Sequence, residues 1–319
     1  RLMEGDKDGS VRRALSHFPD QEVAHKIIAR FYQPDGMQPK QSYYRPPMWT
    51  IHPPTWLNQL TVAGNFVEVW LAKEGHNNPV GINLLEKVQM PNMASLYGAM
   101  LAGVDYVIMG AGIPLQIPGL LDAYVNHEAT SYRLDVHNTE PDDDFRIHFD
   151  PEENFPGIAE TVGQLKRPLF LPIISSVILA QALLKRANGE INGFVIEMPT
   201  AGGHNAPPRK HELNERGEPV YGPKDDIDLE RIKKLGLPFW LAGGYGNADA
   251  VQQALVLGAE GVQVGTAFAY ADESGFEPFS RQQIIDAVLN EEADVFTSPV
   301  ASPTGFPFKV VQLEGTVSD

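Results

Sequence analysis

A histidine that directly follows two glycines is the strongest chemical feature of this sequence. Residues 197–204 read Glu-Met-Pro-Thr-Ala-Gly-Gly-His and follow the apolar run 191–196, which predicts a buried strand. Gly202 and Gly203 carry no side chains, so a flat ligand can come close to the backbone. The imidazole of His204 is suited to move a proton near neutral pH. The pattern therefore predicts an active site at the end of a strand.

Two later apolar runs also end in glycine and indicate a phosphate-binding surface. Gly243 and Gly244 end the first run, and Gly265 and Thr266 end the second. Backbone N–H groups at loop–helix junctions bind phosphate, helped by the helix dipole. In β/α barrels the loops after the seventh and eighth strands commonly form such a site. Tight turns are the alternative reason for these glycines, but the same ending in two neighbouring units favours phosphate binding.

Three further positions are candidates for contact with the same ligand. Asn83 interrupts the apolar run 80–85, where it is expected to be buried, and must pair either with the backbone or with the polar edge of a bound ring. Gly110 ends the next run and allows a close approach. Ser176 follows the run 169–174 and either faces the mouth of the site or caps the next helix.

Composition and missing motifs exclude several classes of protein. With 25 Lys and Arg against 41 Asp and Glu, the formal net charge of −16 disfavours nucleic acids and anionic membrane surfaces as partners. The sequence has no cysteine, which rules out a thiolate nucleophile and fits a cytoplasmic location. No apolar run is long enough to span a bilayer, and no signal peptide is visible.

Other catalytic patterns are also missing. Residues 109–112 lack the third glycine of a dinucleotide fingerprint, so a Rossmann NAD site is rejected. No Gly-x-Ser-x-Gly elbow is present, which disfavours a serine hydrolase. The nine histidines show no spacing typical of metal ligands, so no metal site is predicted.

Six apolar runs alternate with helical segments, which predicts an α/β fold with a parallel sheet covered on both faces. Strands are predicted at 80–85, 106–110, 169–174, 193–197, 239–244 and 261–266, and helices at 93–102, 177–187, 229–235, 248–257 and 281–289. This spacing suits a doubly wound sheet or a (β/α)8 TIM barrel, and we favour the barrel because its phosphate loops would follow strands seven and eight.

A (β/α)8 barrel needs eight strands, and only six are predicted. The first one or two β/α units are therefore expected to be missing before Arg1. The sequence also begins with this arginine instead of a methionine. The helical segment 10–31 would close an earlier unit. We therefore predict a single barrel domain over residues 1–319, truncated at both ends. No terminal element is evident at 315–319.

Two long connections need an explanation of their own. The polar stretch 131–156, which contains three successive aspartates, predicts an insertion on the barrel rim. It is expected to contain a small hairpin of residues 132–136 and 145–149. The stretch 43–54 is rich in proline and aromatic residues and is typical of an ordered loop.

Residues 201–204, 241–244 and 264–268 together resemble the nitronate monooxygenase (2-nitropropane dioxygenase-like) family of FMN-dependent (β/α)8 barrels. Flavin-dependent enoyl reductases of fatty-acid and polyketide synthesis share these motifs. The resemblance implies that His204 is the catalytic residue. The residues expected to bind FMN are Asn83, Gly110, Ser176, Gly202, Gly203, Gly243, Gly244, Gly265 and Thr266. Thr200, where many relatives are acidic, is a departure that bears on the substrate.

The resemblance predicts oxidation of alkyl nitronates or nitroalkanes with dioxygen, with His204 as the base or as the residue that positions the anion. An FMN-dependent reductase of enoyl thioesters that uses NAD(P)H is the alternative enzyme. Two other hypotheses stay open: a non-catalytic flavin-binding barrel in a synthase complex, and a barrel whose phosphate site holds a phosphorylated substrate. An acidic barrel of this kind is compatible with a homodimer.

Overall fold

A computed structural model describes residues 1–140, 142–303 and 305–316 of the chain. Its helices are α1 (Ser10–Leu15), α2 (Gln21–Phe31), α3 (Thr55–Lys73), α4 (Asn92–Leu101), α5 (Ile117–Tyr124), α6 (Pro151–Asn154), α7 (Ile158–Val162), α8 (Val177–Arg186), α9 (Leu229–Lys233), α10 (Ala248–Val256), α11 (Thr266–Ala269) and α12 (Pro278–Leu289). Its strands are β1 (Gly81–Leu85), β2 (Tyr106–Gly110), β3 (Thr130–Arg133), β4 (Arg146–Phe149), β5 (Leu169–Ile174), β6 (Phe194–Glu197), β7 (Phe239–Ala242), β8 (Gly261–Gln263), β9 (Val295–Ser298) and β10 (Phe308–Val311).

Six strands form one sheet in the order β1-β2-β5-β6-β7-β8. The pairs β5–β6, β6–β7 and β7–β8 are parallel, with Ile196 opposite Ile174 on one side and Leu241 on the other. A doubly wound sheet reverses its strand order at a switch point. This sheet keeps to chain order, as the strands of a (β/α)8 barrel do. It confirms the predicted α/β class and the choice of the barrel.

The chain folds into two compact units. The first contains Arg1–Ile108, Pro114–Phe170 and Ala187–Ile191, and the second contains Met109–Ile113, Leu171–Arg186 and the described residues from Asn192 onward. All the predicted site residues except Asn83 belong to the second unit. Within the described residues, no helix is both long enough and apolar enough to cross a membrane.

In the first unit, α3 packs closely along α4. A Cβ on Gly98 would lie only 2.2 Å from the carbonyl oxygen of Val62, so any side chain there would force the two helices apart. An aromatic cluster is buried beside them. Its members are Tyr97, Tyr124, Phe149 and Phe155. Their large apolar area, removed from water, stabilises this unit.

The hairpin predicted within residues 131–156 is confirmed as β3 paired antiparallel with β4. Its first strand lies about two residues earlier than expected. Tyr132 and Ile147 face each other across the pair and are each 2% exposed. The hairpin therefore contributes to the hydrophobic core, although its sequence is mostly polar. Pro141, inside the predicted insertion, lies outside the described residues.

The structure differs from the prediction in other places as well. The helical segment 10–31 is two helices, because Asp20 caps a new helix by accepting a hydrogen bond from the N–H of Val23. The long helix α3 was not predicted. The hairpin of β9 and β10 was not predicted either, and it pairs Phe308 with Ser298. Residues 43–54 form neither helix nor strand, as predicted. Residues 317–319 of the predicted structureless end lie outside the described residues.

Candidate active site at the ends of β6, β7 and β8

The loops that follow β6, β7 and β8 meet at the carboxyl end of the sheet. A Cβ on Gly243 would lie 2.8 Å from the backbone nitrogen of Ala201 and 2.9 Å from Thr200 Oγ1. A Cβ on Gly202 would lie 2.9 Å from Thr266 Oγ1. The three chain segments are thus packed so closely that glycine is required at two of the contacts. The structure brings together the predicted residues of all three loops.

The glycines also take up backbone conformations that other residues avoid. The φ angles of Gly203, Gly243 and Gly244 are 75°, 105° and 82°, in the left-handed region. Side chains at these positions would be strained whatever space surrounds them. Gly203, Gly243 and Gly244 are therefore required by the backbone conformation of the loops, whether or not a ligand binds.

Several polar groups at this edge have no hydrogen-bond partner in the part of the chain that the structure describes. Among the described residues, none accepts a hydrogen bond from the N–H groups of Gly244, Gly265 or Thr266. The side-chain oxygen Oε1 of Gln263 is buried without a hydrogen-bond partner in the same part of the chain. Helix α10 begins directly after the first of these loops, where Asn247 caps it. Free N–H donors near a helix N-terminus suit a phosphate group, so the residues present fit the predicted cofactor phosphate.

His204 is held firmly between its neighbours. Its Nε2 lies 2.6 Å from Ser302 Oγ in a hydrogen bond, and its ring packs edge-on against Phe308 at a centroid distance of 4.7 Å. Its backbone forms an antiparallel bridge with the same Phe308. Burial lowers the pKa of His204 below its ordinary value, because the charged imidazolium is penalised away from water. The neutral ring, which can accept a proton, is therefore favoured near pH 7.

A polar cavity of about 160 Å³ lies next to the His204 loop. It is lined by Ser175, Ser176, Glu197, Met198, Pro199, Asn205, Ala206, Pro207, Arg209, Tyr221 and Asp225. Sequence reasoning did not assign Glu197, Asn205 or Tyr221 to the site. Glu197 gave one usable signal, since it is a carboxylate at the end of an otherwise apolar strand.

Glu197 and Lys309 are an unusual pair within this region. Burial raises the pKa of Glu197 to about 7, and the charge of Lys309 and a hydrogen bond from the N–H of Ala206 oppose that rise. Burial lowers the pKa of Lys309, while Glu197 and Glu218 oppose that fall. Each charge thus supports the other in a poorly hydrated place. Nothing in the local sequence around Lys309 indicated this role.

Three residues that were predicted to bind the cofactor lie outside the three glycine loops. Ser176 lines the cavity, and its Oγ accepts a hydrogen bond from the N–H of Leu179, so it does cap α8. Gly110 packs against β5, where a Cβ would lie 3.0 Å from the side chain of Ile173. Asn83 lies in β1 of the first unit and is exposed, so the expectation that it is buried was wrong. Contact of these three residues with FMN stays a prediction.

Comparison with known proteins identifies similar sequences over much of the chain. The family model described as nitronate monooxygenase matches residues 115–304. A "Probable nitronate monooxygenase" of Bacillus subtilis (strain 168) is 33% identical over 135 residues, which are 42% of this chain and 36% of that protein. One of Staphylococcus saprophyticus is 26% identical over 159 residues, 50% of this chain and 42% of that protein. The chain thus aligns with less than half the length of these relatives.

Two solved structures are also similar to the chain. A FabK variant from Thermotoga maritima is 18% identical, with a TM-score of 0.48 over 78% of this chain and 61% of that chain. The enoyl reductase domain of MlnA from Bacillus amyloliquefaciens is 11% identical, with a TM-score of 0.46 over 80% of this chain and 55% of that chain.

Proposed function

Because this chain belongs to the nitronate monooxygenase family, we propose that it is an FMN-dependent oxidoreductase that oxidises alkyl nitronates with dioxygen. The observation that carries the proposal is the meeting of three glycine loops beside His204. All of these loops lie within the matched range 115–304. Glycine backbone for a flat ring, free N–H donors for a phosphate and an imidazole for a proton are the three requirements of such a site.

The cofactor phosphate would be held by the N–H groups of Gly244, Gly265 and Thr266, which have no acceptor among the described residues. Gly202 and Gly203 would leave room for the ring beside the β6 loop. When bound, FMN supplies the chemistry of taking two electrons from the substrate and passing them to dioxygen. The protein's own part is to orient the substrate and to handle its proton.

His204 is the group proposed to handle that proton. If Nε2 carries its hydrogen and donates it to Ser302 Oγ, Nδ1 keeps a free lone pair. With a neutral nitroalkane, the C–H bond next to the nitro group breaks, the proton moves to His204, and the electron pair stays on the substrate as the nitronate. The lowered pKa of His204 supports this role, because a general base must be unprotonated at working pH.

Two measurements on the purified protein test the proposal. Titration with FMN should give a yellow protein that releases FMN on denaturation. Oxygen consumption should then rise on addition of an alkyl nitronate. Oxygen consumption that does not respond to any nitronate, together with rapid turnover of an enoyl thioester by NAD(P)H, would contradict the proposed reaction and favour the reductase.

The role of His204 is tested by His204→Ala, with His211→Ala as the matched control because His211 is an exposed histidine of the same unit. For a neutral nitroalkane we expect His204→Ala to lower kcat/KM by roughly 10²- to 10⁴-fold, the usual contribution of general base catalysis. A preformed nitronate needs no deprotonation and should lose much less. Unchanged turnover of the neutral nitroalkane would rule out His204 as the base.

A further inference from the structure

Lys309 contacts the His204 loop from a strand that lies beyond the range matched by the family. The ammonium Nζ donates hydrogen bonds to the carbonyl oxygen of Pro199 and to Asn205 Oδ1, both at 2.9 Å. Its backbone N–H donates to the carbonyl oxygen of Gly203, also at 2.9 Å. A single residue therefore contacts the loop on both sides of His204, and it lies five positions after the end of the match at residue 304.

Asn205 extends the same network. It is only 2% exposed. Its Nδ2 donates to the carbonyl oxygen of Ala201 at 3.0 Å, and its backbone N–H donates to the carbonyl oxygen of Pro307 at 2.8 Å. Because Lys309 donates to Oδ1 of the same amide, both ends of the Asn205 side-chain amide are fixed, and its backbone is held by a third hydrogen bond. Residues 199–205 are thus tied to one another and to β10.

Lys309 is also the cation that acts on the Glu197 carboxylate. The Nζ atom lies 6.0 Å from the centroid of the Tyr221 ring, which lines the same cavity as Glu197. The other charged groups that line this cavity are Arg209 and Asp225, and both carboxylate oxygens of Asp225 already accept backbone N–H groups. Loss of the Lys309 charge would leave Glu197 without the cation that most favours its ionised form.

We propose that Lys309 is a positioning residue of this site, which fixes residues 199–205 around His204 and supplies the cation that faces Glu197. In this role it acts through the loop and through the carboxylate, not by contact with substrate or cofactor. The kinetic part of this proposal rests on the proposed function. Its structural part concerns the protein alone and can be tested without FMN or substrate.

Three variants and one control separate the two actions of Lys309. Lys309→Met keeps most of the length of the side chain and removes its charge and its donors. Lys309→Arg keeps both the charge and the donors. Lys309→Gln keeps a donor, removes the charge and serves as the uncharged variant should Lys309→Met fail to fold. Lys234→Met is the control, because Lys234 is an exposed lysine of the same unit with no ion pair among the described residues.

The first readout is amide hydrogen exchange of a peptide that covers residues 199–205, measured without FMN. Lys309→Met should speed exchange in this segment by about tenfold or more, because the loop can open locally once its anchors are lost. Helix α8 of the same unit should exchange at the wild-type rate. Lys309→Arg and Lys234→Met should behave like the wild type.

The second readout is the titration of the Glu197 carboxyl group, followed by infrared difference spectroscopy and assigned with Glu197→Gln. Lys309→Met should move this titration upward by roughly one pH unit, because the charge of Lys309 lowers the pKa of Glu197 and an opposite charge near a carboxyl group commonly shifts its pKa by about that much or more. Lys309→Arg should restore the wild-type titration. A purely structural anchor would leave this titration where it is.

Unchanged loop exchange and an unchanged Glu197 titration in Lys309→Met would overturn the proposal. Equal damage by Lys309→Arg and Lys309→Met would overturn the role of the charge. If the wild type oxidises nitronates, Lys309→Met should lower kcat by about tenfold or more with a smaller change in KM, since a loosened loop populates the productive geometry less often. If the wild type does not, but the exchange and titration follow expectation, the proposed substrate is wrong and Lys309 still positions the loop.

Discussion

The aromatic cluster around Tyr97 and the loops around His204 differ in how they satisfy polar groups. Tyr97 is fully buried, and its hydroxyl lies 2.7 Å from Nδ1 of His127, whose Nε2 lies 2.7 Å from the carbonyl oxygen of Gly163. At the end of β8 in the second unit, Gln263 Oε1 is buried without a partner within the described residues. In the first unit, Asn154 Oδ1 is likewise buried without a hydrogen-bond partner among the described residues.

The difference lies in what each region can do. A buried polar group that is fully paired stabilises one conformation, whereas an unpaired one carries a cost that a ligand can relieve. Around Tyr97 the hydroxyl is paired, and aromatic rings surround it. Around His204 there are N–H groups for which no described residue is an acceptor, glycines at positive φ and the Glu197 carboxyl with a raised pKa. Changes near Tyr97 should therefore affect stability, and changes near His204 should affect binding and pH dependence.

The largest effect on stability is expected from Tyr97→Ala. Removal of a fully buried aromatic ring leaves a cavity and should lower the free energy of unfolding by about 3–5 kcal/mol. Tyr97→Phe removes only the hydroxyl and should cost about 1–3 kcal/mol, because the buried Nδ1 of His127 loses its hydrogen-bond partner. Urea denaturation measures both. Equal stability of Tyr97→Ala and the wild type would show that this cluster does not stabilise the unit.

The next largest effect is expected at Glu197 and depends on pH. Its pKa in the folded state, about 7, is higher than the ordinary value of 4.5. The fold therefore favours the protonated form, so its stabilising contribution is fully present below about pH 4.5 and is lost as the pH rises through 7. Each unit of difference between the two pKa values corresponds to about 1.4 kcal/mol. The free energy of unfolding therefore changes by roughly 3 kcal/mol in total.

Glu197→Gln should consequently be about as stable as the wild type at pH 5 and more stable than the wild type at pH 8. Urea denaturation at the two pH values measures the difference. Glu215→Gln, which changes an exposed glutamate of the same unit, is the control and should show no such divergence. Parallel stability of Glu197→Gln and the wild type at both pH values would argue that the carboxyl group is well hydrated.

Gly243→Ala is expected to lower the stability less than Tyr97→Ala does, and to weaken the binding of FMN. Its φ of 105° strains any side chain, and the new Cβ would lie 2.8 Å from the backbone of Ala201. We expect a loss of about 1–3 kcal/mol in stability and a weaker affinity for FMN by about tenfold. Gly258→Ala is the matched control, because its φ is 88° but its nearest neighbour is the flexible Lys233 side chain. Urea denaturation and titration with FMN measure both effects in both variants. An equal loss of FMN affinity in Gly243→Ala and Gly258→Ala would contradict the prediction.

The smallest effect is expected from Ser176→Ala. Loss of the hydrogen bond to the N–H of Leu179 should cost about 0.5–1 kcal/mol, as for other helix caps. Asp228→Ala removes the cap of α9, which does not line the cavity, and should cost a similar amount. A fall in FMN affinity with Ser176→Ala alone would add ligand contact to its capping role. Equal affinities would limit Ser176 to the cap.

The strands of the sheet could be predicted because each is a short apolar run that ends at or near a turn signal. The five predicted helices that follow these strands show the same kind of local pattern. Helix α3 was missed because its buried residues, such as Val62, Phe66, Val67 and Val69, cover more than one face and blur the helical period. Local patterns identify elements whose burial is one-sided or complete, and they fail where an element has several neighbours.

The site shows the same limit more sharply. His204 and the glycines were identified because they stand together in short motifs. Lys309 could not be found in this way, because its contacts with Pro199, Gly203 and Asn205 join residues about a hundred positions or more apart. Only the folded chain places the unpredicted hairpin of β9 and β10 against the β6 loop. The one local signal for the pair of Glu197 and Lys309 was a glutamate at the end of an apolar strand. It gave no indication of the lysine.

The docking of β10 on the His204 loop also has a consequence for the order of events during synthesis. Protein chains emerge from the ribosome with the N-terminal part first, at roughly 5–20 residues per second. Residues 199–205 therefore emerge roughly 5–20 s before Lys309 can reach them. During that interval β7 and β8 emerge and become available to pair with the earlier strands, but the His204 loop still lacks its anchors. The nascent protein would thus acquire its fold before it acquires a finished active site.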